Sequence, residues 1–151
     1  MEILHADAGL ILQAVDLLAG VQGDYHYGQL PPDKERCGDV LAALAMDPRG
    51  LVLVAVVDGE VVGVFAAAVT PCWYSNCDMV SDLVFVVGEA HRAKAGLRLL
   101  RQGNAWADGW ESVGVVMLGV SSGGDAAEHS GRLYERLGFE FVGGNYMRYR
   151  R

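Results

Sequence analysis

Asp82-Leu83-Val84-Phe85-Val86-Val87-Gly88-Glu89-Ala90-His91-Arg92-Ala93-Lys94-Ala95-Gly96-Leu97-Arg98-Leu99-Leu100 sets an apolar strand, a short turn and a Gly/Ala-rich helix start in immediate succession. From Ala93 to Trp110 the pattern is helical, with Leu99, Trp106 and Trp110 on one face. A strand that runs into a helix calls for a crossover. Val113–Val120 supplies the next strand, too apolar for a wet edge, so parallel pairing is expected. The junction itself is an anion cradle, because the first N–H groups of a helix lack internal partners and sit at the positive end of its dipole. Ala93, Ala95 and Gly96 keep it clear, and Arg92, Lys94, Arg98 and Arg101 add positive charge. The same cations equally suit the solvated face of an amphipathic helix. The segment is neither a Walker A sequence nor a GxGxxG, which argues against a nucleoside triphosphate or NAD.

Upstream of this segment, Leu51–Val57 and Val61–Thr70 are apolar and β-branched, and Asp58-Gly59 between them is a two-residue hairpin turn. The third strand is Asp78–Val87. At the N-terminus a short strand over 2–5 precedes a helix over 7–22 with Asp7 placed to cap it, and a second helix runs from Asp33 to Met46. Downstream, a helix at about 126–137 leads to two last strands, Phe139–Val142 and Tyr146–Arg150. The order β-α-α-β-β-β-α-β-α-β describes one α/β domain over residues 1–151, built on a mixed sheet.

Composition narrows the function. The chain of 151 residues is 52% hydrophobic, enough for a core of its own. A net charge of -7 argues against a nucleic-acid partner, since phosphate neutralisation needs a basic surface, and it favours a cationic or amine-bearing substrate. An acidic surface also simply keeps a protein in solution. Cys37, Cys72 and Cys77 form no CxxC pair, so neither a disulfide framework nor a zinc site has its spacing, and no metal is expected. They read as reduced thiols. No His is spaced to activate Cys72 or Cys77. Without a signal-like start or an apolar run of about 20 residues, the chain reads as cytoplasmic and free of the membrane. Its 20 glycines, against about 11 at the average usage of about 7%, mark tight turns and close approaches.

Two segments in order carry a resemblance. The segment 82–100 resembles the acetyl-CoA signature of the GNAT superfamily of N-acetyltransferases, an Arg/Gln-x-x-Gly-x-Gly/Ala stretch directly after the fourth strand. Ser130-Gly131-Arg132-Leu133-Tyr134-Glu135-Arg136-Leu137-Gly138-Phe139 resembles its C-terminal Leu-Tyr-x-x-Leu-Gly-Phe motif. The likeness covers residues 50–151 by motif and the N-terminal third by element order alone. Two departures stand out: Ala95-Gly96-Leu97 replaces Gly-x-Gly, and Ala127 stands where an Asn commonly precedes the last helix.

The resemblance implies the GNAT fold and transfer of an acetyl or acyl group from acetyl-CoA to a primary amine in a ternary complex. Phe85, Val86 and Val87 would hold pantetheine, with a strand N–H near Val87 for the oxyanion. Arg92, Ala93, Lys94, Ala95, Gly96, Leu97 and Arg98 would hold the pyrophosphate. Tyr134 would protonate the departing thiolate, or else pack its ring beside Leu133 and Phe139. Asp82 is the best-placed general base, since burial would raise its pKa toward a useful value; capping a turn or pairing with an arginine is its alternative. Asp78, Glu35 and His26 are weaker candidates. The acceptor, a small-molecule or peptide amine, would meet Tyr25, His26 and Tyr27 on one side and Trp73 and Tyr74, with Asn76, on the other, where aromatic faces attract cations. Those aromatics equally suit a lid or an interface, and homodimers are common among proteins of this kind. The other function class is a catalytically inactive GNAT-fold protein that binds CoA or regulates.

Overall fold

The computed structural model describes residues 1–21, 23, 28–120 and 124–150. Five strands form one sheet in the order β1-β2-β3-β4-β5: β1 (Glu2–His5), β2 (Gly50–Val57), β3 (Glu60–Pro71), β4 (Asp78–Val87) and β5 (Val113–Met117). The first three pairings are antiparallel and β4–β5 is parallel. Among the described residues four α-helices flank it: α1 (Ala8–Gly20), α2 (Lys34–Met46), α3 (Arg92–Asp108) and α4 (Gly124–Arg136).

Successive residues of a strand point to opposite faces, and both faces of this sheet are covered. Val52 and Val54 of β2 pack with Ile11, Val15 and Leu41 from α1 and α2, while their neighbours Leu51, Leu53 and Ala55 pack with Leu99 and Leu100 of α3 and Tyr134 of α4. That double burial is why the strands read as continuous apolar runs. The two N-terminal helices begin where their caps dictate: Asp7 accepts from the Leu10 N–H at 2.9 Å and Asp33 from the Arg36 N–H at 3.0 Å. Between β2 and β3, Asp58 (φ 52°) and Gly59 (φ 85°) are both left-handed, the conformation a two-residue hairpin requires. No helix among the described residues is long and apolar enough to cross a membrane.

Three boundaries depart from the sequence expectation. The strand expected over Val113–Val120 stops at Met117, and β5 ends the sheet with Val115 and Met117 half exposed, so it lies at an edge. The strands expected at Phe139–Val142 and Tyr146–Arg150 are absent: residues 139–150 are irregular, with Phe141, Val142 and Tyr146 exposed. An isolated pair of four- or five-residue strands is marginal unless a sheet receives it. Left-handed Gly138 and the Gly143-Gly144 break lower its stability further.

At the other end of the sheet Arg49 ties three strands together. Its guanidinium pairs with Asp78 at 2.8 Å, donates from Nε to the Val69 carbonyl at 3.2 Å and lies over the Trp110 ring at 5.8 Å. The Ser112 hydroxyl and this arginine hold the Asp78 carboxyl below the usual aspartate range. Asp78 is thereby a latch between β2 and β4 and a poor proton acceptor.

Candidate functional site

The site begins with a register shift. Ala66 pairs with Val84 but Ala67 pairs with Asp82, so Leu83 is an extra residue in β4, a β-bulge, and its side chain is exposed. The bulge inverts the alternation: Val80 and Phe85, five residues apart, both pack against the α3 face. Bulges also bend and over-twist the strand that carries them. The parallel ladder with β5 runs only from Asp78–Val113 to Ser81–Met117, ending just before the bulge. Past that point no backbone rung joins β4 to the described residues that follow β5.

What β4 offers to this gap follows from its bonds to β3. The Gly88 N–H donates to the Val62 carbonyl at 2.8 Å, and backbone groups alternate sides along a strand, so those of Val87 and Phe85 face away from β3. They point to the side that β5 has left. Phe85 itself packs edge-on against Phe65 (6.2 Å between ring centroids) and tilted against Tyr134 (6.1 Å), and Val86 is buried.

Asp82 and Tyr134 are brought together through a residue that sequence reasoning passed over. Asp82 Oδ1 accepts from the Gly119 N–H at 2.8 Å, and the Tyr134 hydroxyl donates to the Gly119 carbonyl at 3.0 Å. A side-chain bond thus replaces the backbone rung that would have continued the ladder, and it holds the two arms of the gap at a side chain's length. Burial pushes the Asp82 carboxyl above the usual aspartate range, against the opposing pull of the Gly119 N–H and its own N–H. Tyr134 is buried, with its ring between Phe85 and Phe139. The signal for Gly119 was a glycine inside an apolar strand pattern, which marks close backbone approach.

The helix side of the gap is a single 3-10 turn, Glu89–His91, running into α3 at Arg92. Unlike α1 and α2, α3 has no side chain capping its start, and like α1 it carries no acidic residue in its first turn. Ala93 and Lys94 are exposed there, and Arg92 and Leu97 are half-buried. Ala95 and Gly96 face inward instead. A Cβ on Gly96 would meet Phe85 at 3.4 Å and Leu133 at 3.5 Å, so the small residues serve the packing of α3 on β4 and α4. Arg98 is exposed, and its Nη1 donates to the Met1 carbonyl at 2.7 Å.

Of the expected acceptor residues, Trp73 and Tyr74 are described. Trp73 and Tyr74 stack edge to face (5.7 Å) on the exposed β3–β4 loop, separated from Asp82 by four residues of strand, about 13 Å. Glu35 lies exposed in the first turn of α2. Tyr25, His26 and Tyr27 lie outside the described residues.

No protein-family model matches the chain, and no curated protein sequence matches it. Solved structures do. An aminoglycoside acetyltransferase from an uncultured soil metagenomic sample, in complex with sisomicin, superposes with a TM-score of 0.70 at 18% identity, over 99% of this chain and 96% of its own. An acetyltransferase from Trypanosoma brucei gives 0.71 at 18% identity, over 99% and 98%. A transcriptional regulator from Bacillus halodurans C-125 gives 0.74 at 21% identity, over 98% and 99%. The chain therefore has the GNAT fold.

Proposed function

We propose that the protein is an acetyl-CoA-dependent N-acyltransferase acting on a primary amine. The observation that carries this reading is the gap between β4 and the chain after β5, with the backbone of Phe85 and Val87 facing it and the Tyr134–Gly119–Asp82 linkage at its apex. Those residues fit the cofactor. Exposed strand groups accept an amide-bearing chain as an added strand, and the α3 start, without an acidic residue, accepts phosphates. Phe85 and Val87 would hold pantetheine, and Arg92, Ala93 and Lys94 the pyrophosphate. Bound there, acetyl-CoA supplies an acyl group activated as a thioester.

The chain's own residues supply proton transfer and charge stabilisation. An N–H near Val87 faces developing negative charge on the acyl oxygen. Tyr134 provides a proton at its hydroxyl to the leaving sulfur, and Asp82 takes one from the substrate ammonium, directly or through water, which frees the amine lone pair for attack. The acceptor class follows from charge: a net -7 surface attracts a cationic small-molecule or peptide amine.

Thermal unfolding with acetyl-CoA tests the cofactor. At about 100 times Kd the ligand adds about 2.7 kcal/mol of stability, and an unmoved transition overturns the assignment. A second reading draws on the regulator that shares this fold: CoA binding without turnover. Stabilisation by acetyl-CoA with no thiol release across an amine panel would select it.

Asp82 has a test of its own. Asp82→Asn keeps an oxygen that can accept from Gly119 but removes the base, so kcat/KM should fall about 10²-fold or more. The active form is the carboxylate, so wild-type activity is lost as pH falls through a pKa raised above the ordinary ~3.9. Acid unfolding driven by Asp82 has the opposite sign, since a raised folded pKa contributes stability in acid and loses it as pH rises. Equal rates and pH profiles in Asp82→Asn and wild type would remove the residue from this role.

A further inference from the structure

The β3–β4 loop, Cys72-Trp73-Tyr74-Ser75-Asn76-Cys77, carries two cysteines that the proposed transfer reaction does not use. The antiparallel ladder ends at Pro71–Asp78, and Cys72 and Cys77 form the next pair outward, joined by the Cys72 N–H donating to the Cys77 carbonyl at 3.0 Å. Hydrogen-bonded antiparallel pairs hold their Cα atoms about 5.5 Å apart, inside the ~4.4–6.8 Å window of disulfides. The Cys77 thiol is also among the groups that lower the Cys72 pKa, after the Tyr74 and Ser75 backbone.

Two further observations set this pair apart from Cys37. Hydrogen bonding from the backbone of Tyr74 and Ser75 lowers the Cys72 pKa. Burial raises that of Cys37. The Cys77 sulfur is seated against Gly114, the extra residue where the β4–β5 register shifts, and a Cβ there would lie 2.8 Å from it. One sulfur is electrostatically prepared; the other is held beside it.

We propose that Cys72 and Cys77 are an oxidation site, a dithiol that closes to an intramolecular disulfide when the protein meets hydrogen peroxide. The Cys72 thiolate attacks one peroxide oxygen, the O–O bond breaks, and the departing hydroxide takes up a proton to leave as water. Cys72 is then a sulfenic acid. The Cys77 sulfur attacks the Cys72 sulfur, the S–S bond forms as the S–O bond breaks, and the Cys77 proton leaves with that hydroxide as a second water. Two thiols have been oxidised by two electrons and one peroxide reduced to two waters. The closed ring fixes the loop that presents Trp73 and Tyr74.

The intact chain is treated with hydrogen peroxide, alkylated under denaturing conditions and mapped by mass spectrometry. The expected result is a peptide spanning residues 72–77 that is lighter by about 2 Da and resists alkylation until dithiothreitol is added, with Cys37 alkylated throughout. Without oxidant, Cys72 should alkylate about tenfold faster than Cys37 under native conditions. In Cys77→Ser the oxidation should stop at a sulfenic acid on Cys72 that dimedone traps. Because Cys37 reports on the same folded molecules, a misfolded variant is recognised by loss of its slow alkylation, and the wild-type mapping stands without it. Cys72 and Cys77 remaining as alkylatable as Cys37, sulfinic acid building up on Cys72 beside a free Cys77, or disulfides between chains would each overturn the proposal.

Discussion

Tyr134→Phe is expected to slow amine-dependent thiol release from acetyl-CoA by about 10²–10⁴-fold, the usual worth of a positioned proton donor. The substitution is narrow. The ring keeps its place between Phe85 (6.1 Å) and Phe139 (5.9 Å), and only the hydroxyl, which donates to the Gly119 carbonyl at 3.0 Å, is removed. That lost bond should cost about 1 kcal/mol of stability. Stabilisation by acetyl-CoA should persist, which separates a failure of chemistry from a failure of binding. A variant that turns over at the wild-type rate would leave Tyr134 a core residue whose hydroxyl serves packing, and the proton donor would have to be sought elsewhere on the gap.

Phe65→Ala should remove about 3–5 kcal/mol of stability in urea denaturation, the cost of emptying a buried aromatic site. Against a total of about 5–15 kcal/mol for a domain, this is the most damaging single truncation expected in the chain. Phe65 is 2% exposed and sits where three elements meet: it pairs with Leu53 of β2 and Phe85 of β4, and α3 approaches it through Gly103. A Cβ on Gly103 would overlap the Phe65 ring, so the glycine exists to admit the ring. The two sites are coupled. Gly103→Ala should destabilise by about 1–3 kcal/mol in the parent and by much less alongside Phe65→Leu, a non-additivity that measures the contact. Additive losses would mean that α3 shifts away from the sheet and the fit is looser than the structure shows.

Much of the fold was legible because its signals are local. Asp7 caps the helix it was expected to cap, Asp58-Gly59 turns the hairpin, and the apolar runs over 51–57, 61–70 and 78–87 are strands. Each depends on a few neighbouring residues. The last two strands failed because a strand is local in pattern but not in stability: residues 139–150 carry apolar side chains, yet they needed a partner at the β5 edge and carry a Gly143-Gly144 break. Asp78 likewise read as a candidate base, and no spacing could show that Arg49, 29 positions earlier, would be its partner.

The stretch from Asp82 to Leu100 by itself determined a strand, a turn and a helix with a positively charged start, and with the Leu-Tyr-x-x-Leu-Gly-Phe segment it pointed to the fold. Tertiary structure alone decided how that stretch is used. It placed the bulge at Leu83, ended the β5 ladder at Ser81, turned Ala95 and Gly96 inward, and joined Asp82 to Tyr134 through Gly119. The physical reason is that periodicity reports which face of an element is apolar, whereas register and side-chain partnership are properties of two elements at once.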